Sequence, residues 1–563
     1  MISRRSFLSR AGVGAASASL VAAPHIARSA EDLSQKTGQK PRNIIHIVSD
    51  GMSVGTLTCA NLFSQQLRGH RLQWIKLYSD PSARMGMMIT RSLNSLVTDS
   101  AAASSSWGSG SHVANGAINV LPDGRHLTPL YELFQQKGWA RGLVTTAEIT
   151  HATPAGFAAA IRTRDDAQAI AAQYLQRQVD VLLGGGRPYF DPAKRKDKRD
   201  LFRDFQSAGY FVVRDAASLA LAPTSGRLLG TFADSHLPYT IDQRADAKLM
   251  GKVPTLAAMT SAALERLQQH NNFILQVEGA RVDHAAHNSD AAAAIHDQIA
   301  LDQAIEVCLN FRRKNPDTLI VITTDHGNSN LGLNGMGGGY RESSQRFASL
   351  AQIRASFPEI LGRIEKVGEK IKISPTKADD EERIDVPDPM GKLAALAKAQ
   401  EKDRDKDKDK DKEKKEDDAK VNSGMQMKNA LRVEPKAIID IVADTTGYKM
   451  SSRRAALFAQ VLGGQYQALY DQMNSPVSQL GQLMANRLGI GWTGNTHTCD
   501  LVPIVAIGPG SEKFTGIAEN IQVFKHYTHL ADIDFQNSSA PLVADADIDN
   551  AHEIERIDRY ALA

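Results

Sequence analysis

Seven acids and imidazoles of this 563-residue chain stand where apolar runs break off. Asp50 follows the run 43–48. Glu278, Asp283 and His287, spaced five and then four apart, follow the run 273–277. Asp325 and His326 follow 318–322, and His497 sits in Gly494-Asn495-Thr496-His497-Thr498, just before 501–507. Singly, each has an ordinary use as a helix cap, a hydrogen-bonded core histidine or a solvated loop residue. Brought together, these carboxylates would repel one another unless cations neutralised them. Histidine with aspartate suits zinc, and all-oxygen sets suit magnesium. A hydroxyl comes from Ser95-Leu96-Val97-Thr98-Asp99-Ser100-Ala101-Ala102-Ala103-Ser104. A short apolar run stops at Thr98-Asp99, and an Ala/Ser-rich run continues to Trp107-Gly108. An extended segment is therefore expected to turn into a helix with Ser100 at its N-terminus. Free N–H groups and the helix dipole favour an anion there. Ser100 reads either as a helix N-cap or as a nucleophile whose pKa a neighbour lowers.

The elements that must position these residues follow one grammar: apolar strand, polar or glycine-rich turn, helix. It recurs at 43–48, 142–146, 179–183, 273–277, 318–322 and 501–507, with helical patterns at 128–136, 166–178 and 290–311. Such alternation predicts an α/β fold: a doubly wound, mostly parallel central sheet with helices on both faces. In such sheets the site lies beyond the carboxyl ends of the strands, where these polar residues stand. Residues 341–490 break the grammar and read as an insertion. It is helical at 343–370, 436–443 and 452–489. At 377–425 it is a charged low-complexity linker, with an Asp/Lys repeat that cannot bury apolar surface.

A net charge of +3 gives no argument for a nucleic-acid partner. Cys59, Cys308 and Cys499 are far apart and match no zinc-knuckle or redox pattern; Cys308 and Cys499 read as packing residues. Ser3-Arg4-Arg5-Ser6-Phe7-Leu8 followed by a mildly apolar, small-residue run reads as a twin-arginine signal peptide within 1–30, cut between about Ala23 and Ala30. This predicts export of a folded protein to the periplasm or beyond. No other run is long and apolar enough for a stable membrane anchor.

Seven motifs occur in the order seen in alkaline phosphatases, over about 41–340 and from 491 to the last strand. They are Asp50-Gly51-Met52, Thr98-Asp99-Ser100-Ala101-Ala102, His151-Ala152-Thr153-Pro154, Gly184-Gly185-Gly186-Arg187, Glu278-Gly279-Ala280-Arg281-Val282-Asp283-His284-Ala285-Ala286-His287, Thr324-Asp325-His326 and Asn495-Thr496-His497-Thr498. The chain resembles that family, with an alkaline-phosphatase-like domain expected at 41–340 and 491–563. The resemblance implies a phosphomonoesterase in which Ser100 becomes phosphoserine and Arg164, with Arg162 as rival, clamps the phosphate. Asp283, His287 and His497 would hold one zinc, and Asp50, Asp325 and His326 a second that also touches Ser100. Glu278 and Thr153, sharing Asp50, would hold a third ion, magnesium. His151 stands where the best-known bacterial enzymes carry aspartate; an imidazole there removes a charge and opens the third place to zinc. His151 is taken to stand just behind the ligands of the third ion, and His284 as a neighbour of the phosphate. Relatives are commonly dimers, which raises a homodimer. The alternatives are a phosphodiesterase or sulfatase of the same superfamily, although the Pro-Arg context of sulfatases is missing around Ser100, or a metal or phosphate binder without turnover.

Overall fold

The computed structural model describes residues 40–371, 430–466 and 468–540. The signal-peptide reading at 1–30 and the charged linker at 377–425 lie outside the described residues.

Ten strands form the central sheet among the described residues. In chain order they are β1 (Asn43–Val48), β2 (Ala83–Ile89), β3 (Ala140–Glu148), β4 (Val181–Gly185), β5 (Tyr210–Val213), β6 (Arg227–Thr231), β7 (Phe273–Glu278), β8 (Thr318–Thr323), β9 (Val502–Ile507) and β10 (Gly516–Glu519). Their spatial order is β10-β2-β9-β8-β1-β7-β3-β4-β6-β5. All neighbours run parallel except β9, which is antiparallel to both β8 and β2. The sheet is therefore mostly parallel, and one reversed strand makes it mixed.

The near-continuous apolar runs reflect burial on both faces. Ile45, Ile47, Leu275, Val277, Ile320 and Ile322 enter one core; Ile44, Val48, Ile274, Leu319 and Val321 enter the other. Alternate residues of each strand thus face opposite helical layers. The strands β2, β5, β6 and β10 were not foreseen. They lie toward the sheet's two edges, where half-exposed residues such as Met85, Phe211 and Ile517 break up the apolar signal.

Six helices matter for the site: α1 (Val54–Arg68), α2 (Ser100–Ser109), α3 (Ala152–Ala158), α4 (Arg281–His287), α5 (Ala291–Lys314) and α6 (Pro476–Leu488). Every residue of α2 and α3 is buried. That explains the Ala/Ser/Gly-rich run, because only small side chains let two buried helices come this close. Ser104 Oγ donates to the Ala152 carbonyl at 2.9 Å, and a Cβ on Gly108 would sit 1.9 Å from the Gly156 carbonyl oxygen. Ser106 and Ser109 return their hydroxyls to the carbonyls of Ala102 and Ser105, so the buried serines are satisfied within the helix.

Within 341–490 the helical stretch expected at 343–370 is broken. It contains helices at Ser343–Ala348 and Phe357–Val367, and a strand at Glu369–Ile371 that pairs with Ala430–Arg432. Ser356 and Pro358 explain the restart, one as N-cap and the other in the first helical turn. The apolar faces of this region, including Phe357, Ile360, Ile364, Ile438 and Leu480, continue one of the two cores. Cys59 and Cys308 are buried, whereas Cys499 is exposed beside the turn to β9, not packed.

Candidate metal centre

Strand register brings the acids together. Val48 pairs with Thr323 on one side and Glu278 on the other, and Glu278 pairs with Thr145. Asp50 and Asp325 each stand two residues beyond that level, with Glu278 across from them. Gly51 turns the chain at φ +63°, and a Cβ there would lie 2.2 Å from Asp283 Oδ1. Only glycine fits so close to the carboxylate. Helix α4 begins three residues after β7 and carries Asp283 and His287 one turn apart. His497 arrives on a short strand whose partner is Asn328, two residues beyond His326. Ser100 is the first residue of α2; the N-cap is Asp99, whose carboxylate accepts from Ala102 N at 2.8 Å. The reading of Ser100 as a cap is thus replaced, and its hydroxyl is free for another partner.

Three imidazoles aim lone pairs into the cluster. His287 Nδ1 donates to the Asn495 carbonyl at 2.7 Å, His497 Nδ1 to the Thr98 carbonyl at 2.9 Å, and His326 Nδ1 to the Gly327 carbonyl at 3.2 Å. Each neutral ring then presents a bare Nε2. The two Nε2 atoms of His287 and His497 are 3.0 Å apart. Asp283 oxygens lie 3.3 Å from His287 Nε2 and 3.7 Å from His497 Nε2. His326 Nε2 lies 3.6 Å from Asp50 Oδ1, 3.2 Å from Asp325 Oδ2 and 3.1 Å from Ser100 Oγ. Lone pairs facing lone pairs and carboxylates at these distances call for positive charge between them, from protons or from a bound cation.

Buried oxygens point to the same requirement. Both Asp50 oxygens, Glu278 Oε1, Asp325 Oδ2 and Thr153 Oγ1 are buried without a hydrogen-bond partner. Three sets of side chains bring ligand atoms within 4.8 Å of one another: Asp283, His326 and His497; Asp50, Asp325 and His326; and Asp50, His151 and Glu278. These donors fit divalent cations: the first set has two imidazoles and one carboxylate, which suits zinc, and the other two each have two carboxylates and one imidazole.

The protonation energetics agree. Burial, then the charges of Asp325, Asp283 and Glu278, push Asp50 far above the ordinary carboxylate range. Burial lifts Glu278 to about 7 and Asp325 to about 6. Asp283 is also buried, but His287, His497 and His326 outweigh that and hold it well below the usual value. Burial pulls His326 down to about 4 and His497 to about 3. Asp50, Glu278 and Asp325 thus resist ionising and His326 and His497 resist protonation, as in a cation site, whereas Asp283 and His287 stabilise each other's charged forms, Asp283 raising His287 against its burial.

The remaining predicted residues surround this cluster. Arg164 Nη1 donates to Asp99 Oδ2 at 3.0 Å and Nη2 to His151 Nε2 at 3.1 Å, so it stands beside the start of α2. Arg162 is exposed against the Gly124 turn. Because Arg164 occupies Nε2 of His151, that ring keeps its proton on Nδ1, which is buried. Thr153 lies beside Glu278. His284 sits one step outside the cluster: Arg281 donates to its Nδ1 at 2.8 Å, and its ring centre is 4.3 Å from His236 and 5.6 Å from His151.

Four contributors were missed in the sequence. Asp99 caps α2 and anchors Arg164. Thr145 donates to Glu278 Oε2 at 2.5 Å. Asn328 Nδ2 donates to Asp283 Oδ1 at 2.6 Å, and its Oδ1 accepts from Ser329 Oγ. His236 enters from the loop after β6. A polar residue at a strand's carboxyl end would have flagged Thr145; nothing local flags Asn328 or His236.

The model of the alkaline phosphatase family matches residues 41–533. Alkaline phosphatase 4 of Bacillus subtilis (strain 168) is 28% identical over 490 residues, covering 85% of this chain and 86% of its own. Streptomycin-6-phosphate phosphatase of Streptomyces griseus is 32% identical over 362 residues, 56% of this chain and 80% of its own. Among solved structures, the alkaline phosphatase of Thermus thermophilus superposes with a TM-score of 0.74 at 29% identity, covering 94% of this chain and all of that one.

Proposed function

The chain belongs to the alkaline phosphatase family, and from that premise we propose that it hydrolyses phosphate monoesters through a phosphoserine on Ser100. The observation that carries this reading is the Ser100 hydroxyl 3.1 Å from His326 Nε2, a nitrogen that also faces Asp50 and Asp325. Asp283, His287 and His497 would hold one zinc, and Asp50, Asp325 and His326 a second. Glu278, Thr153 and Asp50 would hold a third ion, magnesium or zinc, with His151 close by. Bound there, such ions supply Lewis-acid stabilisation and lower the pKa of a coordinated hydroxyl or water toward neutrality.

Ser100 Oγ gives up its proton and forms a bond to phosphorus as the ester P–O bond breaks, and the alcohol departs with a proton. Water then attacks the phosphoserine, the Oγ–P bond breaks, and phosphate leaves as Ser100 regains its proton. Arg164 offers a planar fork to two phosphate oxygens, pre-set by its ion pair with Asp99. The N-terminal amides of α2 face the same anion. Positioning and charge neutralisation do the work in such a displacement. The Streptomyces griseus relative, named for streptomycin-6-phosphate, is consistent with a monoester substrate.

Ser100→Ala tests the mechanism. Turnover of an aryl phosphate should fall at least about a thousandfold, while elemental analysis still finds about two zinc ions per chain. Undiminished hydrolysis removes the phosphoserine. A diester turned over faster than the monoester by the unsubstituted protein would favour the phosphodiesterase alternative. Export is proposed through the Arg4-Arg5 segment. Replacing both arginines by lysine should leave the precursor inside the cell, as fractionation would show. Among the described residues, no helix is long and apolar enough to cross a membrane.

A further inference from the structure

The loop carrying His497 is gripped from the 341–490 region. Thr496 Oγ1 donates to Gln472 Oε1 at 3.0 Å, and Asn495 Nδ2 donates to Ser478 Oγ at 3.2 Å. Gln472 lies on a single 3-10 turn, Asp471–Met473, and Ser478 is a fully buried residue in the first turn of α6. The two are tied together, since Gln479 Nε2 donates to the Met473 carbonyl and Ser475 Oγ to Ser478 Oγ. On its other side the loop accepts Ser329 N at the Thr496 carbonyl, 2.9 Å away. The Asn495 carbonyl held in this grip is the acceptor for His287 Nδ1 at 2.7 Å.

We propose that Gln472 and Ser478 are positioning residues that fix the Asn495 carbonyl, and through it the tautomer and aim of His287, so that this region retains the cation shared by His287 and His497. The proposal rests on the reading of those two histidines as cation ligands. If the Asn495 carbonyl swings away, His287 Nδ1 loses its acceptor, its proton is no longer confined to that nitrogen, and Nε2 no longer presents a fixed lone pair. His497, two residues along the same loop, shifts with it. Groups that orient a ligand in this way govern metal affinity by about ten- to a hundredfold.

The test is zinc release from the full-length, zinc-loaded protein into a chromophoric chelator. Gln472→Met keeps the length of the side chain but removes the acceptor, and Ser478→Ala removes the other grip. Each should release about one zinc per chain roughly tenfold faster than the unsubstituted protein, with thermal unfolding of the zinc-free Gln472→Met protein unchanged. Gln472→Glu keeps an acceptor oxygen and should restore slow release. His497→Ala separates the two levels of the argument: it should bind about one zinc fewer. If it keeps the full complement, the ligand reading falls and the proposal with it. If His497→Ala loses zinc but Gln472→Met and Ser478→Ala release it at the unsubstituted rate, the grip is overturned while the ligand reading stands.

Discussion

Ser100 Oγ and the carboxylate oxygens of Asp50 and Asp325 meet at one atom, Nε2 of His326, within 3.6 Å. A single imidazole therefore couples the hydroxyl to the buried acids, and its orientation follows from one donated hydrogen bond to the Gly327 carbonyl. Arg164 is placed by Asp99, the residue that also caps the serine's helix, so the proposed clamp and the proposed nucleophile share a support. Arg162, the rival in sequence, is turned away. Arg164→Lys keeps the charge but loses the fork, and kcat/KM for an aryl phosphate should fall tenfold to a hundredfold, about 1.5–3 kcal/mol. Arg162→Lys should leave it unchanged. The reverse pattern would make Arg162 the clamp. The acids and imidazoles were legible because each stands at the end of an apolar run. Asn328 and His236 were not, because their value lies wholly in which distant side chain they meet.

At the scale of elements, the pairing of α2 with α3 sets the distance between Ser100 and the residues that follow β3. Asn119 Nδ2 binds the carbonyls of Gly156 and Ala159 at 2.6 and 2.8 Å, and Ser104 binds that of Ala152, so the contact is hydrogen-bonded as well as close. Gly108→Ala would place a methyl against the Gly156 carbonyl. The variant should lose about 1–3 kcal/mol of stability by denaturant unfolding. Its kcat/KM should fall, because Ser100, the amides at the start of α2 and, through Asp99, Arg164 are all carried by the displaced helix. A fully stable, fully active variant would mean that the helices can part without cost. The helix itself was readable from its Ala/Ser composition. Its cap was not: Asp99 and Ser100 are both good N-caps, and the choice was made by Gly116 N and Arg164, which also claim the Asp99 carboxylate.

For the molecule as a whole, burial at the centre of the sheet ties stability to pH. His46, in the middle of β1, is fully buried with Nδ1 2.7 Å from the Tyr527 hydroxyl and its ring against Trp107 and Phe157. Burial drops it from 6.5 to about 3. Between those values the unfolded chain binds the extra proton, so stability rises with pH across the window and is lost as pH falls. From pH 7 to pH 5 this residue should remove roughly 2 kcal/mol. Denaturant unfolding of His46→Asn at both pH values should show a correspondingly smaller loss on acidification; an identical loss would exonerate His46. The family's motifs, the alternation of strand and helix, and the candidate ligands were all decided locally, by runs of apolar residues and the polar residues that end them. Which strand runs backwards, which arginine faces the serine and which carbonyls orient the imidazoles were decided only in three dimensions. Hydrogen bonds and charges act over a few ångströms between residues hundreds of positions apart, and no local pattern encodes such a meeting.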